Sequence, residues 1–203
     1  IYIKGGKVNI TVDAEDVTGL KADSVFTITG GDVNVTVSGN LSQGIKASWM
    51  GNFNGGFITA SVSGNGSKGI SGKCFTDPLK TTLNGGYLNF GGSNVTMNVS
   101  GGNVVVGTDT TRCMGIKCDK DMTQSAGSIA ITLSGTEAKA VDVVGSFTRT
   151  GGILEVNSPT QTPAVKTNGN FTMSDGELTL LSLIHLSEPT RRTPISYAGL
   201  CLK

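Results

Sequence analysis

The chain has 203 residues, 30 of them Gly, with 15% charged and 5% aromatic residues and a formal net charge of +1. A balance this close to neutral supplies no global field to recruit nucleic acid or an acidic membrane surface, and no apolar run approaches the roughly 20 residues of a membrane-spanning helix. Val, Thr, Ser and Asn outnumber the strong helix formers, which points to an all-β chain of many short strands and tight turns.

Ile1 already stands inside a strand pattern with no signal peptide ahead of it, so the chain reads as a fragment of something longer. The first loop, Asp13-Ala14-Glu15-Asp16, gathers three acids; Asp13, Glu15 and Asp16 are hard oxygen ligands that suit Ca²⁺, although the spacing lacks the EF-hand pattern. The next stretch, Phe26-Thr27-Ile28-Thr29-Gly30-Gly31-Asp32-Val33-Asn34-Val35-Thr36-Val37-Ser38-Gly39, is the unit that recurs. Two runs of alternating apolar and polar residues flank a Gly pair, and alternation of period two marks strands with one buried face. A short polar loop then leads to a third run, Gly44-Ile45-Lys46-Ala47.

Gly pairs or their equivalents fall at Gly5-Gly6, Gly30-Gly31, Gly55-Gly56, Gly101-Gly102, Ala126-Gly127, Gly151-Gly152 and Asp175-Gly176, in steps of 25 or 24 residues except for one of 46. The third run keeps the same beat through Gly19-Leu20-Lys21, Gly69-Ile70-Ser71, Gly115-Ile116-Lys117, Ala140-Val141-Asp142 and Ala164-Val165-Lys166. This period is the arithmetic of a single-domain parallel β-helix over residues 1–180, with about 25 residues and three short strands per coil, in which stacked coils share one core. The long step marks one irregular coil near residues 74–101, with an insertion at Cys74 to Lys80 and a truncated return through Tyr87 to Gly92.

Side-chain parity places Val8, Val33, Ile58, Ile129 and Leu154 inward and the neighbouring Asn and Thr outward. In the third run Lys21, Lys46, Ser71, Lys117, Asp142 and Lys166 project outward as one column. Its ammonium groups could meet the carboxylates of an acidic polysaccharide, or serve as solvated charge that blocks unwanted strand pairing. Trp49 at a coil corner and Tyr87 and Phe90 in the irregular coil are candidates to stack on sugar rings; covering a shortened coil is the alternative. Cys74, Cys113 and Cys118 make a poor disulfide framework and read as free thiols. Catalysis has little to rest on. Outside the last residues there is no His, the only Arg residues are Arg112 and Arg149, and the acids are scattered. Gln124 and Arg149 interrupt an apolar column in neighbouring coils.

From Leu181 to Lys203 the composition changes, and Leu181-Ser182-Leu183-Ile184-His185-Leu186-Ser187-Glu188-Pro189-Thr190-Arg191 resembles a translated sequencing adapter. Residues 181–203 are therefore expected to be a non-native tail, and His185 and Cys201 leave the functional argument with it. The repeat itself, with Gly-Ile-Lys-Ala, Phe-Thr-Ile-Thr-Gly-Gly and Val-Asn-Val-Thr-Val-Ser-Gly over residues 19–70 and more loosely to 180, resembles the carbohydrate-binding-domain family of bacterial cell-surface β-helices. The resemblance implies a non-catalytic, secreted or surface-anchored module for plant cell-wall polysaccharides such as cellulose or pectic acid, sometimes with Ca²⁺. Lys21, Lys46, Trp49, Tyr87 and Lys117 are the expected carbohydrate contacts. A structural or adhesive stalk without glycan affinity and a polysaccharide lyase-like fragment are the alternatives.

Overall fold

A computed structural model describes residues 1–76, 83–158 and 163–182. The chain begins with β1 (Tyr2–Ile3), β2 (Lys7–Val12), β3 (Thr18–Ala22), β4 (Val25–Val37), β5 (Gln43–Ala47), β6 (Met50–Val62) and β7 (Lys68–Gly72). It continues through β8 (Phe75–Thr76), β9 (Leu83–Asn84), β10 (Tyr87–Val99), β11 (Asn103–Val106), β12 (Asp109–Arg112) and β13 (Met114–Cys118). The last elements are β14 (Met122–Leu133), β15 (Lys139–Val143), β16 (Phe147–Ser158), β17 (Val165–Thr167) and β18 (Phe171–Ser182). Among the described residues every regular element is a strand.

The chain alternates between two parallel sheets. The larger runs β1 and β2, then β4, β6, β10, β14, β16 and β18; the smaller runs β3, β5, β7, β13, β15 and β17. Register repeats the sequence period, with Val8 opposite Val33 and Val33 opposite Ile58 in the large sheet. In the small sheet Leu20 lies opposite Ile45 and Ile45 opposite Ile70. The core lies between the sheets. Inward Val33, Val35, Ile58, Val95, Ile129 and Leu154 of one sheet and Ile45, Ile70, Ile116 and Val141 of the other are buried in one cluster.

Three short strands per repeat become one long and one short strand. The first two expected strands form a single strand of 12 or 13 residues from β4 onward, because pairing resumes beyond the Gly pair after a local register shift. Gly31 shows why the pair is needed: its φ is 91°, and a Cβ there would stand 2.6 Å from the Gly6 carbonyl oxygen of the preceding repeat.

The irregular coil differs from the expectation in its second half. Gly91 pairs with Ala126, so the corner of β10 is Gly91-Gly92 and not Gly101-Gly102. Two antiparallel hairpins interrupt the repeat, β8–β9 and β11–β12. The first lies between β7 and β10, the second between β10 and β13, so they enclose β10 in sequence. Asn103 to Val106 is a β-branched run that follows a Gly pair, as the repeat's strands do, which is why the second hairpin is invisible to the period alone. The insertion at Cys74 to Lys80 is where the first hairpin leaves the repeat; its residues 77–80 lie outside the described residues. At the C-terminus, β18 runs through Ser182, two residues past the expected boundary at 180.

Candidate functional site

The expected lysine column exists. Lys21, Lys46, Ser71, Lys117, Asp142 and Lys166 face one another in sequence across β3, β5, β7, β13, β15 and β17. Its central members are not open to solvent, since Ser71 and Asp142 are buried and the Lys117 side chain is 17% exposed. An alternating chain of charges accounts for this. Lys139 contacts Asp142 at 2.6 Å, Asp142 contacts Lys117 at 2.9 Å, Lys117 approaches Asp119 at 3.8 Å, and Asp119 approaches Lys73 at 3.6 Å. Burial alone would push the Asp142 carboxyl up, but hydrogen bonds from Lys139 and Lys117 and their charges outweigh it and hold the group below its ordinary value. Lys117 is therefore committed to protein carboxylates. Lys68, on the same face, has its ammonium pKa lowered by burial and by the neighbouring Lys73 and Lys117. Lys46 is half-buried, and Lys21 is exposed and paired with Asp23 at 2.8 Å.

At the corner where β5 hands over to β6, an aromatic group gathers. Trp49 and Phe75 are 41% and 37% exposed, with ring centroids 6.0 Å apart and planes tilted by 46°. Tyr87 is half-buried and joins Trp49 through its backbone, donating N–H to the Trp49 carbonyl at 3.1 Å. Two of the expected carbohydrate contacts, Trp49 and Tyr87, thus meet at one corner. Phe75 completes the group from the base of the first hairpin.

Beside Tyr87 on the large sheet runs a polar ladder. Thr123 donates its hydroxyl to Asn89 Oδ1 at 2.8 Å, and Asn89 Nδ2 donates to Asn52 Oδ1 at 3.0 Å. The three residues are in register on β14, β10 and β6. The ladder leaves the Asn52 amide as a donor at one end and the Thr123 oxygen as an acceptor at the other. Sequence reasoning had placed an outward Thr and Asn face, but not this hydrogen-bonded run. Phe75 was missed as well, although it is the first aromatic after the chain leaves the repeat at Lys73.

The acidic loop carries the three side chains expected to hold Ca²⁺. Asp13, Glu15 and Asp16 are all exposed, and among the described residues no three His, Cys, Asp or Glu side chains converge to hold a metal ion. The loop's geometry serves the stack: Asp16 adopts a φ of 54°, and its N–H donates to the Asn40 carbonyl of the next repeat at 2.9 Å.

Among the described residues Cys74, Cys113 and Cys118 are free, with Cys113 and Cys118 buried and Cys74 partly buried. Burial pushes the Cys113 thiol up to about 11 and the Cys118 thiol up to about 12, and raises Cys74 less far. Compared with protein-family models, curated proteins and solved structures, the chain matches none.

Proposed function

We propose that the two sheets are faces of one parallel β-helix, and that this solenoid binds a plant cell-wall polysaccharide without catalysing its breakdown, as part of a secreted or surface protein. The constant register and the shared core support the solenoid reading. The observation that carries the functional reading is the exposed Trp49–Phe75 pair with Tyr87 at one corner, next to the Asn52–Asn89–Thr123 ladder. A sugar ring presents an apolar C–H face to an aromatic ring and hydroxyls at its rim. Here the amides follow Trp49 and Tyr87 within three residues on β6 and β10, and their ladder runs along the direction in which the repeats stack.

The charge arrangement favours a neutral, cellulose-type chain over a pectic one. Lys117, an expected partner for uronate carboxylates, already faces Asp142 and Asp119. A stalk without glycan affinity is the second reading, favoured by the way outward Asn side chains satisfy one another, as Asn34 Nδ2 does on Asn9 Oδ1 at 3.0 Å. A panel of immobilised neutral and uronic-acid polysaccharides, probed with the full chain with and without a chelator, separates the two. Retention on neutral glucans supports binding; no retention on any glycan leaves the stalk.

A further inference from the structure

The Trp49–Phe75 pair joins the regular turn to the hairpin that leaves the repeat after Lys73, whose N–H still donates to the Ala47 carbonyl at 3.0 Å. Trp49 belongs to the regular turn between β5 and β6, fixed by its N–H donating to the Ser24 carbonyl at 3.1 Å. Phe75 sits on β8, where the chain has left the small sheet and paired antiparallel with β9. A two-stranded hairpin with two paired residues on each side does not order itself in water. Something outside it must fix where Phe75 stands.

Asp119 supplies such a contact. Asp119 follows β13 directly, and its Oδ2 accepts the N–H of Cys74 at 3.2 Å, one residue before Phe75. The same carboxylate oxygen faces Lys73 Nζ at 3.6 Å, while Oδ1 faces Lys117 Nζ at 3.8 Å. The Cys74 thiol adds contacts to the Gly85 carbonyl at 3.3 Å and the Asp119 carbonyl at 3.7 Å. Asp119 is itself held from behind by the charge chain through Lys117 to Asp142 and Lys139. A carboxylate accepting a backbone N–H forms a charge-assisted hydrogen bond, roughly twice as strong as a neutral one.

We propose that Asp119 is the positioning residue of the aromatic corner: by clamping the Cys74 N–H it holds β8 so that Phe75 stays against Trp49. The charge chain then has a purpose beyond tying strands together, since it orients the clamping carboxylate. The consequence for glycan retention rests on the polysaccharide reading above. The placement of Phe75 does not.

Trp49 is the chain's single Trp, so its fluorescence reports on this corner without labels. The test compares the wild-type chain with Asp119→Asn, Phe75→Ala and Lys139→Gln, reading acrylamide quenching of Trp49 and retention on insoluble cellulose. Phe75→Ala gives the signal of a Trp49 without its partner. Asp119→Asn is expected to shift quenching toward that signal and to weaken retention by about three- to tenfold, the worth of one displaced aromatic contact. Lys139→Gln, at the far end of the charge chain, is expected to leave both readouts closer to wild type. If Asp119→Asn fails to fold, Lys73→Gln removes one contact to the same carboxylate and is expected to move quenching the same way by less. Wild-type quenching in a folded Asp119→Asn, or in Lys73→Gln where that variant stands in, overturns the clamp. Altered quenching with unchanged retention upholds the clamp and overturns the polysaccharide reading at this corner.

Discussion

Arg149 donates its Nε–H to Oε1 of Gln124 at 2.9 Å, and both side chains are fully buried in the core. They occupy one inward column with Ile28, Phe53, Phe90 and Met173, where the rings of Phe53 and Phe90 stack at 4.7 Å. Among the described residues no carboxylate pairs with the guanidinium. Its NH2 group donates to the carbonyls of Glu177 at 2.7 Å and Gly152 at 3.1 Å, and Gln124 Nε2 donates to Ile153 O at 2.9 Å. Burial lowers the Arg149 pKa from its ordinary value, yet arginine stays charged in proteins. The pair ties β14, β16 and β18 together at their corners.

Removing half of this arrangement is costly, and removing all of it is not. Arg149→Ala leaves a cavity and strands Gln124 and two carbonyls, and is expected to lose about 3–5 kcal/mol. The double variant Gln124→Met with Arg149→Met fills the column with apolar side chains and is expected to lie within about 1–2 kcal/mol of wild type. Chemical denaturation of the three proteins checks both values.

Acid should reveal the Asp142 network. Its carboxyl is held below the ordinary value of 3.8 in the folded state, so the stabilisation is fully present above that value and is lost as pH falls through the lowered folded-state pKa. Asp142→Asn leaves Lys139 and Lys117 without this partner and is expected to cost about 2 kcal/mol at neutral pH, between the exposed-pair and buried-pair ranges. Below pH 3.8 the difference from wild type should shrink, which unfolding curves recorded across the acid range will show.

Thiol reactivity should follow burial. Cys113 and Cys118 are fully buried, with thiols raised to about 11 and about 12, whereas Cys74 is partly exposed. Thiolate is the reacting species. Peptide mapping after brief alkylation of the native protein is expected to find Cys74 modified well before Cys113 and Cys118, and denaturant should erase the order among these three.

Much of the fold was legible because each repeat copies one physical instruction. Val33, Ile58 and Leu154 are inward as their parity required, and Lys46, Lys117 and Asp142 do share one column. What the sequence hid is what departs from the copy. Asn103–Val106 is a β-branched run after a Gly pair, and strand propensity cannot distinguish a parallel partner one repeat away from an antiparallel partner across a short turn. The commitment of Lys117 to Asp142 and Asp119 depends on side-chain reach across strands, which period does not encode. The corner itself was half legible. Trp49 and Tyr87 stood out by type, but Phe75 reaches them only because a hairpin folds back and Asp119 accepts the Cys74 N–H.

The corner's role is tested most directly by affinity electrophoresis of the full chain through gels containing a soluble neutral β-glucan. The variants Trp49→Ala and Tyr87→Ala are run beside Lys21→Gln, whose lysine is exposed on the other sheet. The account predicts that wild type and Lys21→Gln are retarded alike, while Trp49→Ala loses about tenfold or more in affinity, as loss of a stacking platform entails. Equal retardation of Trp49→Ala and wild type, or no retardation of wild type by any glycan, would contradict it.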